Sequence, residues 1–124
     1  MAGRFARWVY GIAAAYGFLV LTPLLFTEGQ MAKVDGRALG HPEYYYGFLG
    51  AALVFQFVFL LIARDPARLR PVMVATILEK LAWGVVVTVL VLQGRTRGPV
   101  VVFAAIDVLW APLFAWAYVR TPKA

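Results

Sequence analysis

The chain has 124 residues, of which 63% are hydrophobic and 15% aromatic, and it contains no cysteine. A mean hydropathy of +0.78 is beyond what a soluble domain carries, and the missing cysteines exclude disulfides, thiolate chemistry and thiolate-bound metals. Twelve basic against six acidic side chains leave a formal charge of +6, but the cations sit in short flanks between apolar runs, a membrane-protein pattern that argues against nucleic acid.

Four apolar runs follow one another: 8–26, 44–63, 72–92 and 100–119. Each has the ~20 residues that cross ~30 Å of hydrocarbon at ~1.5 Å per residue, whereas barrel strands are about half as long and alternate in polarity. Arg4 and Arg7 precede the first run as they would a signal peptide. Its length, and the absence of a small-residue cleavage site in Phe26-Thr27-Glu28-Gly29, predict a retained helix instead. A polar loop with three glycines is expected over 27–41. Pro42 with Glu43 opens the second span, and Pro99 opens the fourth, where a missing backbone N–H costs nothing. Between the second and third, Asp65 is placed to cap one interfacial turn before Pro71 starts the next helix. The expected fold class is all-α, a four-helix transmembrane bundle, with residues 1–124 as one transmembrane domain.

Orientation follows from the cations. Arg4, Arg7, Arg64, Arg68, Arg70, Arg120 and Lys123 lie on the side of the termini, against Lys33, Arg37, Arg95 and Arg97 on the other. That bias predicts a multi-pass protein of the cell membrane with both termini cytoplasmic.

Ionisable groups inside a span cost ~2.5–3.5 kcal/mol each and normally turn inward to partners. Here they are Glu79 and Lys80 in the third span and Asp107 in the fourth, joined by Gln56 in the second and Tyr16 in the first. Counting helical rise, Glu79, Lys80, Gln56 and Tyr16 all lie about 11–12 Å from the side of the termini, and Asp107 about 18 Å. One midplane layer therefore gathers a polar group from every span. Neighbouring helix positions diverge by about 100°, so Glu79 and Lys80 are expected to face different partners. The simplest arrangement pairs Lys80 with Asp107 and turns Glu79 toward Gln56 and Tyr16, although the reverse assignment satisfies the same constraint. The layer either fixes helix register or forms a ligand, proton or catalytic pocket. Lys80 alone also has the reach to snorkel toward headgroups.

Trp83, one turn after Glu79, and Trp110, nearly one turn after Asp107, read either as walls of such a pocket or as packing. His41 with Glu43, at the mouth opposite the termini, reads as a helix start or as an acid–base pair. A single histidine supplies neither two haem ligands nor a zinc cluster, so no cofactor or metal is predicted. The small-residue pairs Gly11/Ala15, Ala13/Gly17 and Gly47/Ala51, each four apart, allow close helix contact.

His41-Pro42-Glu43-Tyr44-Tyr45-Tyr46-Gly47-Phe48, Arg64-Asp65-Pro66-Ala67-Arg68, Arg70-Pro71 and Leu78-Glu79-Lys80-Leu81 together resemble a family of small, uncharacterised bacterial four-helix integral membrane proteins. The likeness covers nearly the whole chain and implies a fold without an activity. A weaker likeness, carried by Leu53-Val54-Phe55-Gln56, is to the EXPERA group, the emopamil-binding and sigma-2-receptor type. It implies four helices that hold sterol-like or cationic amphiphilic ligands among acidic residues, and in some members sterol isomerisation. This chain is shorter than that group and has no acid in its second span. Fluoride channels and small multidrug exporters match in size, but neither motif set is present.

Two functional classes remain. The favoured one is a non-enzymatic accessory or self-associating bundle, with the bilayer and a partner chain or homo-oligomer as its partners. The alternative is a membrane-embedded binder or enzyme for a small apolar or sterol-like ligand, with Glu79 and Asp107 as polar contacts. A tightly packed core with paired charges would favour the first, and an internal cavity open to the bilayer the second.

Overall fold

The computed structural model describes residues 3–35, 40–96 and 98–123. Its helices are α1 (Arg4–Leu24), α2 (Glu28–Asp35), α3 (Pro42–Arg64), α4 (Arg70–Leu92) and α5 (Pro99–Arg120). No strand occurs among the described residues. Four of the five, α1 and α3 to α5, are long and apolar enough to cross a membrane. They run up, down, up and down, and many of their large side chains face outward, among them Leu19, Leu78, Val85 and Leu109. The fold is thus the predicted all-α four-helix arrangement.

The helix ends follow local chemistry. Proline sits in the first turn of α3, α4 and α5, where no intrahelical donor is lost. After α4, Gly94 takes φ 69°, a left-handed conformation that glycine adopts without cost. This lets Gly94 N–H donate to Val91 O (2.9 Å) and Arg95 N–H to Leu90 O (2.8 Å), the paired bonds of a Schellman stop. Asp65 caps the short turn as expected, its Oδ1 accepting from the Arg68 N–H at 3.4 Å.

Residues 27–41 are not all loop. Helix α2 occupies Glu28–Asp35, with Thr27 O accepting its first bond from Met31 N–H at 3.0 Å. Glu28 in its first turn and Lys33 in its last both suit the helix dipole. The Tyr46 hydroxyl fastens it to α3 by donating to Glu28 Oε1 at 2.8 Å. Polar residues dominate α2, so no apolar period betrays it. Gly36 and Arg37 lie outside the described residues, as does Arg97.

Packing is uneven between the two ends. α1 lies along α3 and α4 along α5, α1 also meets α5, and α3 and α4 scarcely touch. The half of the bundle that carries the termini is dense, with Ala6, Ala14, Ile62, Met73 and Ala117 almost wholly buried. Its centre is an aromatic plug. Tyr10 stacks on Phe114 at 4.3 Å, and Phe59 sets its edge against both, at 5.8 and 5.1 Å. The Tyr10 and Thr76 hydroxyls are 2.7 Å apart. Thr76 spends its single proton on Met73 O, so Tyr10 is the donor.

Two arginines tie the helix ends together. Arg7 Nη1 donates to Ala63 O (3.3 Å) and Arg64 O (2.9 Å) at the end of α3. Arg70 Nε donates to Tyr118 O (3.1 Å) and Thr121 O (2.8 Å) at the end of α5. In each case a cation satisfies terminal carbonyls that have no helical partner.

Candidate functional site

The polar layer lies directly above the aromatic plug. Lys80 projects from α4 into the bundle with only 6% of its surface exposed. Its Nζ is 3.3 Å from Asp107 Oδ1 on α5 and 3.9 Å from Glu79 Oε1. It also sits 5.3 Å from the centre of the Phe59 ring, within cation–π range. The expected Lys80–Asp107 pair is therefore present. Glu79 differs from expectation, because it makes no hydrogen bond to Gln56 or Tyr16. The divergence of adjacent positions constrains Cβ directions, but a four-carbon lysine stem lets one ammonium return to its neighbour's carboxylate. Two carboxylates face one ammonium, leaving one negative charge in excess when all three are ionised.

Gln56 reaches the same level from α3, almost fully buried. Its Nε2 donates to Ala52 O on its own helix at 2.8 Å. Its Oε1 has no hydrogen-bond partner among the described residues and rests on the bare Cα of Gly17, where a Cβ would collide with the amide. Of the three small-residue pairs, Ala13/Gly17 thus makes the close contact between α1 and α3. Gly11 and Gly47 face open space.

Above this layer α3 and α4 separate, and a cavity of about 1170 Å³ opens between the helices. Lys80, Glu79 and Asp107 form its floor, Gln56 and Tyr16 lie beside them, and Arg95 stands at its mouth. From Lys80 to the loop at 94–96 it runs about 20 Å along α4. Its walls are mainly apolar, and Phe48 on α3 stacks on Trp83 on α4 at 4.8 Å across the seam where those helices part.

Trp83 therefore lines the cavity and Trp110 does not. Trp110 packs between Tyr16 (6.3 Å) and Phe114 (5.9 Å). His41 and Glu43 are also outside it. They are exposed at the end opposite the termini, with Nδ1 2.9 Å from Oε1 and the imidazole stacked on Tyr44. Sequence reasoning missed Phe48 and Phe55 as cavity walls and Tyr10–Thr76 as the seal beneath. One signal for the seal was available: Thr76 and Lys80 are four apart, so one face of α4 carries both inward.

A buried ammonium faces two carboxylates at the base of the cavity, so three ionisable groups converge where a polar group could be held. No group of three metal-ligating side chains occurs among the described residues. Compared with known proteins, the chain matches no family model, no curated protein and no solved structure. Both resemblances rest on their motifs alone.

Proposed function

We propose that the protein is a multi-pass protein of the cell membrane, with both termini cytoplasmic, that holds a small apolar or sterol-like molecule inside its bundle. The observation that carries this reading is the cavity of about 1170 Å³ with a charged floor. It is ample for such a molecule, since ligand pockets run to ~300–1,000 Å³, mostly apolar with a few convergent polar groups. The ligand's apolar body lies against Phe48, Phe55 and Trp83, and its polar end meets Glu79, Asp107 and Lys80. A hydrogen-bond donor suits that end, because two carboxyl groups there share a single ammonium. Entry runs laterally between α3 and α4, whose sparse contact leaves a seam toward lipid. The excess of arginine and lysine at the end bearing the termini supports the orientation.

Photolabelling with a diazirine-bearing sterol tests the binding role. Adducts should map to Phe48, Phe55 or Trp83, should be displaced by excess unlabelled sterol, and should vanish in Ala52→Phe, which fills the cavity. Adducts confined to outward residues such as Leu19 and Leu109, insensitive to Ala52→Phe, would refute it.

A second reading, the accessory or self-associating bundle, draws on one observation. Gly47 and Gly50 lie exposed on α3 with open space beside them, a surface on which another helix could approach closely. Because the chain has no cysteine, a lone Gly47→Cys would report self-association as an oxidised dimer. No dimer in native membranes would refute contact through this face.

A further inference from the structure

We propose that the end bearing the termini carries a second site, separate from the cavity, for a phosphate-bearing anion. The site is the crevice between the start of α4 and the segment after α5, about 320 Å³ in volume and bounded by Ala67, Arg68, Arg70, Pro71 and Lys123. Three cations border this small space. No carboxylate of the described residues lies within salt-bridge distance of any of them. The nearest acid in sequence, Asp65, uses its Oδ1 on the Arg68 backbone N–H.

Arg70 gives the crevice a fixed donor. Its Nε is held by two carbonyls at the end of α5, and its guanidinium lies 3.9 Å over the Tyr118 ring. A guanidinium has five N–H donors in one plane. With Nε committed and the plane held by stacking, the terminal nitrogens form a fork already ordered for two oxygens of one anion. Thr121 anchors the start of the segment that carries Lys123. It is 2% exposed, its hydroxyl donates to Ala117 O at 2.7 Å, and its carbonyl accepts from Arg70. Lys123, two residues on, borders the crevice. A tetrahedral phosphate has oxygens enough for the fork, Arg68 and Lys123 together. The crevice also lies where two apolar helices end, the level of headgroups for a chain that crosses a membrane. The phosphodiester of an anionic lipid and free inorganic phosphate share this chemistry, and the test separates them.

The full chain is placed in nanodiscs of phosphatidylcholine doped with phosphatidylglycerol, and retained lipid is measured by native mass spectrometry. In a second arm the detergent-solubilised protein is melted with and without inorganic phosphate. Arg68→Gln with Lys123→Gln leaves both Arg70 caps intact and should weaken phosphatidylglycerol retention roughly hundredfold, because two charge-assisted hydrogen bonds are lost. Arg4→Gln with Arg64→Gln removes the same charge at the same end and should weaken it far less. If phosphate stabilises the wild type but not the crevice variant, and lipid retention does not differ, the site stands with free phosphate as its ligand. Equal losses in both double variants would reduce the crevice to diffuse charge and overturn the proposal. So would a wild type that responds to neither lipid nor phosphate.

Discussion

Removing Lys80 should cost more than removing Asp107, although the two form one ion pair. Lys80→Met strands two carboxylates that are only 26% and 24% exposed and have no other cation of the described residues within salt-bridge distance. Breaking a buried pair costs ~3–5 kcal/mol, and the low end, about 3 kcal/mol, applies because both carboxylates border the cavity. Asp107→Asn leaves the ammonium 3.9 Å from Glu79, and the new amide oxygen still accepts from Nζ, so about 1–2 kcal/mol is expected. Lys80→Met with Asp107→Asn strands one carboxylate instead of two. It should be less damaging than Lys80→Met alone, with a coupling of about 2 kcal/mol. Adding Glu79→Gln removes the last charge and should recover stability further, since an uncharged replacement of a buried ion group is often neutral. Reversible unfolding in mixed micelles of SDS and a mild detergent gives the free energies. Equal costs for the two single variants, or a double variant additive within ~0.5 kcal/mol, would refute this account of the cluster.

Other variants probe the scaffold around the cluster. Gly17→Ala drives a Cβ into the Gln56 amide and should cost about 1–3 kcal/mol in the same unfolding assay, with recovery in Gly17→Ala/Gln56→Ala. Tyr10→Phe removes the donor to Thr76 while keeping the ring stack, so a loss of about 1 kcal/mol is expected, and a loss as large as that of Tyr10→Ala would show the bond is not the only effect. Alkaline phosphatase fused after Ala124 should be inactive if the termini are cytoplasmic, whereas an active fusion would invert the proposed orientation.

The long helices were legible because each is an apolar run bounded by proline, glycine or charge. α3, α4 and α5 each begin one or two residues before the predicted span. α1 begins four residues early, at Arg4, because Arg7 binds backbone carbonyls of α3 from within the helix, and hydropathy does not register such a contact. The Lys80–Asp107 pair was the simpler of the two assignments that depth and lysine reach allowed. The shared contact with Glu79 was not legible, since helical angle fixes where a side chain starts and not where a flexible one ends. Gly17 was visible as a small residue, but only packing distinguishes it from Gly11 and Gly47. The cavity had no signature in the sequence. It arises from how far α3 and α4 diverge, which the balance of packing between helix pairs decides.

Occupancy of the cavity is tested most directly by the fluorescence of Trp83, since Trp8 and Trp116 face outward and Trp110 packs outside the cavity walls. A variant retaining only Trp83, reconstituted in nanodiscs, is titrated with a brominated sterol, in parallel with one retaining only Trp116. A bound ligand predicts saturable quenching of Trp83, reversed by unbrominated sterol and abolished by Ala52→Phe, with only gradual, non-saturating quenching of Trp116. Identical, non-saturating quenching of both would contradict a binding cavity.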